Sequence, residues 1–457
     1  MDSITYICEL GFTMATVTRV VKITLESVES ESDDYVTSPP APPAPALQTP
    51  SPGSRRAEIA LVAAEEFTRR GYHSTRVEHI AERLGVTPGA LYRHVPGKYE
   101  MFRDAVAVLV DELETATASA TASVAQSDPA AGGSHPEALA VVVGSVTRTT
   151  LTHRSRAALY RWQARYLTPG DRAAVVAAET RVRARVAEAV RGRRRGEPTP
   201  GAGSAAAAIL SCIASLGFHR IEITESDAIT LLTSIADDLA LSDPRPREQP
   251  SPRPAQSESV PVARLRGGAA TREGAIEAAI ARFHSSGYDS VTMEAIGADV
   301  GVAASALYRH FPGKSALLKA AVDRTATLVE HLLDQHGALH SATSDPAAAL
   351  ADLLEQYVEI AFSHGPELML YHSELGALDV ADRRRLRRAQ RGQLERWARL
   401  VLEASGVQDP SEAEEELARI RVHAALAVVL DGGQGTGFHP SATARLGDLA
   451  RLTLLPR

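Results

Sequence analysis

The chain has 457 residues, 44% hydrophobic and 23% charged, too long for one core and expected to divide into two to four soluble domains. A net charge of −7 argues against a general nucleic-acid coat while leaving room for a local basic patch. Two cysteines without partners at ligand spacing, Cys8 and Cys212, exclude a disulfide framework and a zinc site and point to a reducing cytoplasm.

Aromatic residues are only 5% and alanine is abundant, which favours helices because alanine loses no side-chain entropy in one. No apolar run approaches the length of about 18 residues that a membrane span needs. The opening "MDSITYICELGF" lacks the basic and apolar regions of a signal peptide. Within residues 1–36, "ATVTRVVKITLESV" alternates weakly, as a strand would, but has no partner strand. "SPPAPPAPALQTPSPGS" follows as a Pro-rich tether, so residues 1–53 are expected to be a disordered extension.

From Arg55 the pattern is helical. In "RRAEIALVAAEEFTRR", Ile59, Ala63 and Phe67 share one stripe, and Gly71 stops the helix. "TRVEHIAERLG" is a short second helix with Val77, Ile80, Ala81 and Leu84 inward. In "VTPGALYRH", Thr87 is expected to cap a third helix with Pro88 at its first position, running to about His94. Pro96-Gly97 breaks it, and a long fourth helix starts near Lys98.

A first helical body is expected over 104–241, after a head over 54–103. Its stretch "RVRARVAEAVRGRRR" reads as a solvated basic face. A second Pro-rich segment, 242–267, is a linker, followed by a second head over 268–319 and a second body over 320–457. The second half repeats the first. Phe67–Lys98 aligns without gaps on Phe283–Lys314 with 16 identities in 32 positions, and "ALYRHVPGK" returns as "ALYRHFPGK" 216 residues later. Weaker repeats follow: "LY" at 159–160 and 370–371, Asp-Arg at 171–172 and 382–383, and "GFH" at 217–219 and 437–439. The fold class is therefore all-α, two tandem units, each a helix-turn-helix head on a helical body.

Two short helices joined by a tight glycine turn make a helix-turn-helix, whose second helix fits the DNA major groove. Small residues at its start, Thr87, Pro88, Gly89 and Ala90, let the backbone approach base edges. Tyr92, His94 and Lys98 lie along one rim, where their donors suit phosphate oxygens. Taken singly, Tyr92 and Tyr308 read equally well as packed aromatics, and Lys98 and Lys314 as solvated helix starts.

"GYHSTRVEHIAERLGVTPGALYRHVPGK" and "GYDSVTMEAIGADVGVAASALYRHFPGK" both resemble the N-terminal DNA-binding domain of TetR-family transcriptional regulators, over about 50 residues each. The resemblance implies phosphate contacts at Tyr92, His94 and Lys98 and at Tyr308, His310 and Lys314. It implies base-facing positions at Thr87, Pro88 and Gly89 and at Ala303, Ala304 and Ser305, with Arg93 and Arg309 reaching a base or a phosphate. The copies differ in charge: residues 55–103 hold nine Lys/Arg against six Asp/Glu, residues 271–319 five against five. Ala303 also replaces the cap Thr87, an expected cost of about 1 kcal/mol. Head two is thus expected to bind DNA more weakly.

In the bodies, "RRRLRRAQRGQLERW" reads as an amphipathic helix with Leu386, Leu394 and Trp397 inward, a second nucleic-acid contact being the other reading. "DGGQGTG" lacks the Lys-Ser/Thr of a phosphate loop and is expected to be a turn between helices. Candidate ligand-lining residues are Tyr160, Trp162, Tyr166 and Phe218 in one body and Tyr357, Phe362, Met369, Tyr371 and Trp397 in the other. No catalytic constellation, metal site or cofactor motif is recognisable. The expected function is a cytoplasmic DNA-binding regulator, a repressor released by a small-molecule effector. Its operator would be an imperfect palindrome in double-stranded DNA. Its two bodies would pair as an intramolecular pseudo-dimer, or whole chains as a homodimer. The rival reading is a helical interaction protein with degenerate heads.

Overall fold

The computed structural model describes residues 47–127 except 73, 135–242 except 155, 157–158, 160–165 and 195–200, then 268–340 and 345–455. Cys8, the strand-like segment, the extension up to residue 46 and linker residues 243–267 lie outside the described residues. Among the described residues there are seventeen α-helices and no strand. No described helix is long and apolar enough to cross a membrane.

The first unit opens with α1 (Arg55–Arg70). Ser54 caps it, its hydroxyl accepting from the Ala57 N–H at 3.2 Å. Glu58 in its first turn and Arg69 and Arg70 in its last complement the helix dipole. It stops at Gly71, whose φ of +83° suits only glycine without strain. Then come α2 (Val77–Arg83), α3 (Pro88–Leu91) and α4 (Lys98–Ser127). The first body adds α5 (Ala138–Thr152), α6 (Pro169–Arg193), α7 (Ala202–Ser215) and α8 (Glu225–Ala240). The second head is α9 (Gly268–Ser286), α10 (Met293–Val300), α11 (Ala304–Tyr308) and α12 (Lys314–His340). Its body holds α13 (Pro346–Ser363), α14 (Gly365–Ser373), α15 (Val380–Ala404), α16 (Glu412–Gly435) and α17 (Thr443–Leu454).

Leu47 packs on the first head and Pro50 is buried, so ordered packing begins ahead of residue 54, where the sequence placed the first unit. The head cores also do not close at residues 103 and 319. The first takes in Leu159, Leu167, Val175 and Ala178 beside Phe67, Ile80 and Leu91. The second takes in Leu370, Tyr371, Leu375 and Leu386 beside Phe283, Ile296 and Leu307. Leu159 and Leu370, the leucines of the repeated "LY" pairs, thus hold corresponding positions, each a wedge from body into head.

The bodies share one core. Ile209, Ile213, Leu232 and Ile235 of α7 and α8 pack with Ile420, Val428, Leu449 and Leu454 of α16 and α17. Alanines at 205, 206, 424 and 425 are buried there, and their small side chains let the helices approach closely. Cys212, buried and free, lies 3.7 Å from the Thr453 hydroxyl across this seam. Burial pushes its thiol up to about 12, so it stays protonated and unreactive.

The basic segments are helix faces: Leu386 and Trp397 are buried on α15, and Val182, Val186 and Val190 on α6. The glycine-rich "DGGQGTG" differs from the expected turn, because α16 continues through Gly435 and turns only at 436–438. Its glycines make room for neighbours. A Cβ at Gly432 would collide with Leu446, and one at Gly433 with Phe438.

Candidate nucleic-acid interface

The turn before α3 is closed by backbone bonds. The Val86 N–H donates to Ala81 O at 3.0 Å, and the Val302 N–H to Gly297 O at 2.9 Å. Gly85 and Gly301 carry the positive φ that the turn requires, +66° and +74°. In the second head the turn is close enough that a Cβ on Gly297 would lie 2.7 Å from Val302 O. The third helix and the turn after it are then seated by two residues four apart. Leu91 and Val95 are buried in the first head, Leu307 and Phe311 in the second.

That seating turns the intervening side chains outward. Tyr92 and Tyr308 are each 50% exposed, which decides against the packed-aromatic reading. Thr87, Gly89, Arg93 and His94 are exposed in the first head, with Pro88 half-buried. Ala303, Ser305 and Arg309 are exposed in the second, with Ala304 and His310 half-buried. His310 is held closer than His94: a Cβ on Gly268, at the start of α9, would lie 3.2 Å from its ring. Each rim therefore presents a phenol, an imidazole and a guanidinium beside small residues, a surface that can donate to phosphates while its backbone approaches base edges.

Three features differ from expectation. Thr87 occupies the cap position, yet its hydroxyl makes no capping bond, so Ala303 costs the second head no cap. The third helix ends at Leu91, and residues 92–94 form a turn. Lys98 and Lys314 are half-buried clamps. The Lys98 ammonium lies 4.8 Å from the Tyr72 ring centroid, and that of Lys314 lies 4.4 Å from the Tyr288 ring centroid. Lys314 also donates to Tyr288 O at 2.8 Å and Asp289 O at 3.1 Å. Burial lowers both lysine pKa values, opposed in each case by the charge of Asp289. The clamp tyrosines were missed as site residues; their signal was that both copies keep Gly-Tyr at 71–72 and 287–288.

The charge difference between heads has a location. Arg76 is exposed at the start of α2, whereas Thr292 holds that place in the second head, its hydroxyl accepting from the Ala295 N–H at 3.2 Å. Other cations are engaged internally. Arg69 and Arg70 hold the buried Glu66, and Arg282 pairs with Asp299.

Each head is tied to its body. Arg156 reaches Glu65 of α1 at 3.1 Å. The Tyr99 hydroxyl bonds Asp171 and accepts from the Thr168 N–H at 2.9 Å. In the second unit Lys319 pairs with Asp382 at 3.0 Å. The repeated Asp171 and Asp382 thus both anchor the long helix leaving the head.

Of the described ligand-lining candidates, Phe218 is half-buried and the others pack against core side chains. Tyr166 stacks on Tyr72 at 5.1 Å. Tyr371 is 1% exposed and donates to Gln393 Oε1 at 3.2 Å. Phe362 meets Phe438 edge-on at 6.0 Å, Met369 is 3% exposed, and Tyr357 packs edge-on against Trp397 at 5.9 Å. None of these lines the 490 Å³ surface cavity beside the second head, bounded by Arg272, Ile276, His310, Phe311 and Arg324. Tyr160 and Trp162 lie outside the described residues.

Residues 59–105 and 275–321 both match the family described as bacterial regulatory proteins, tetR family. The chain is 37% identical over 59 residues to the HTH-type transcriptional activator FasR of Mycolicibacterium smegmatis, covering 13% of this chain and 27% of that protein. It is 35% identical over 71 residues to the HTH-type transcriptional repressor KstR2 of Rhodococcus jostii, covering 16% of this chain and 35% of that protein. The matches thus span about a third of these relatives. A TetR-family transcriptional regulator from Bordetella parapertussis 12822 aligns in structure at 18% identity and TM-score 0.35, covering 40% of this chain and 93% of that one. The regulator PfmR from Thermus thermophilus aligns at 21% and 0.34, covering 40% and 96%.

Proposed function

We propose that this chain, which carries two tetR-family N-terminal domains in tandem, is a sequence-specific DNA-binding transcriptional regulator in which one polypeptide supplies both reading heads. The observation that carries the reading is the matched pair Tyr92 and Tyr308. Each is half exposed, directly after a buried leucine, in two heads that keep one register 216 residues apart.

The bodies' shared core supports an intramolecular pseudo-dimer: α7 and α8 stand to α16 and α17 as two subunits of a dimer would. The heads would then enter successive major grooves about 34–36 Å apart. Their unequal charge makes the operator an imperfect palindrome, with head one holding its half-site more tightly. We propose repression, relieved by a small-molecule effector that binds the DNA-incompatible state more tightly than the DNA-bound one. Both an activator and a repressor stand among the relatives, so the sign of control is a separate measurement.

The test is to recover genomic fragments bound by the full chain and to sequence them. The reading expects a shared motif of two related but unequal half-sites, lost at high salt. Recovery of unrelated fragments, or of none at low salt, would leave a helical protein with degenerate heads.

A further inference from the structure

His219 follows α7 and is 8% exposed. Its ring stacks on His423 of α16, centroids 4.5 Å apart and planes 22° apart, across the seam between the bodies. Its Nδ1 accepts from Arg154 Nη2 at 2.9 Å, which leaves the proton on Nε2. That Nε2–H is buried and has no hydrogen-bond partner among the described residues. Buried donors are almost always paired, so this one points to an acceptor it is built to meet.

The surroundings are cationic. Arg154 donates to Leu216 O at 2.7 Å and Ile221 O at 2.8 Å, neutral acceptors that leave its charge uncompensated. Its neighbour Arg220 is exposed and repels it. Arg387 of α15 comes from the other body, close enough to Arg220 for repulsion, with Arg383 and Arg391 one turn to either side. His372 at the end of α14 is near His423. Two other arginines of α15 find carboxylates, Arg385 at Asp323 and Arg396 at Glu330 and Asp334. Among the described residues Arg154, Arg220, Arg387 and Arg391 pair with none.

We propose that the seam is a binding site for a small molecule presenting an oxyanion, a carboxylate or a phosphate group. The buried His219 Nε2–H would donate to it, and Arg220 and Arg387 would hold it from opposite bodies. Only an acceptor with negative charge satisfies both the donor and its surroundings. Bound there, it removes the repulsion between Arg220 and Arg387 and draws the bodies together. The proposal rests on the packing of the bodies and is independent of the DNA reading.

The test is calorimetric titration of the full chain with inorganic phosphate and, separately, with succinate, at fixed ionic strength near pH 6. Saturable binding of at least one is expected, and the responding probe assigns phosphate or carboxylate. Arg220→Ala and Arg387→Ala, which remove exposed side chains without ion pairs among the described residues, should each weaken it about tenfold. No saturable binding of either probe, or equal binding by both variants and the parent chain, overturns the proposal.

Discussion

His219 and His423 carry a consequence for stability that their identity alone would not suggest. Burial, the neighbouring ring and Arg154 push His219 from its ordinary 6.5 to about 2. Burial, His372 and Arg154 push His423 to about 4. Both pairings are with cations, so the folded state holds the rings neutral while the unfolded chain takes up protons below about pH 6.5. The unfolded state therefore binds more protons in that window, and stability falls as the solution is acidified. The unfolding free energy should drop from pH 6.5 towards 5 with a slope approaching ~1.4 kcal/mol per pH unit for each histidine. Denaturant titrations at these pH values should show a shallower slope for His423→Gln, and an unchanged slope would contradict the assignment. In the sequence His219 stood out only as the end of the repeated "GFH". Its partner lies 204 residues away, across a packing that no local pattern encodes. Tyr92 and Tyr308, by contrast, were legible as surface donors once the repeat placed each after an apolar leucine.

At the level of elements, the stop at Gly71 and the glycine turn before the third helix followed from spacing alone, because backbone sterics act locally. Contacts that join elements did not. Thr87 looked like a cap and is none, since its hydroxyl makes no capping bond. The lysines looked like solvated or phosphate-facing ends, and their contacts with Tyr72 and Tyr288 were not legible. Several aromatic residues expected to line a pocket, Tyr166, Tyr371 and Tyr357 among them, pack on core neighbours that spacing did not reveal, because helical spacing specifies a face and not what covers it. The wedges make a prediction. Leu159 is fully buried in the first head's core although it belongs to the body. Leu159→Ala should cost about 2–5 kcal/mol, visible as a lower Tm, and should loosen the first head. A melt indistinguishable from the parent's would mean that head and body do not share a core.

At the scale of the molecule, duplication converts a problem of assembly into one of packing. Two chains that must find each other lose affinity on dilution. Two bodies on one chain hold each other at any concentration. Duplication also frees the heads to differ: the first keeps a surplus of cations and an exposed Arg76, the second balances its charge and has Thr292 there. Sequence repeats made the two-unit plan legible; which helices pack between the bodies did not follow from them. The central claim is that each head of one chain reads its own half-site. Footprinting of an operator by the full chain, by Tyr92→Ala and by Tyr308→Ala tests it most directly. Two protected patches about 10 base pairs apart, centre to centre, are expected, with Tyr92→Ala clearing one patch and Tyr308→Ala the other, the first at the greater loss of affinity. Loss of both patches equally in both variants, or protection untouched by either, would contradict it.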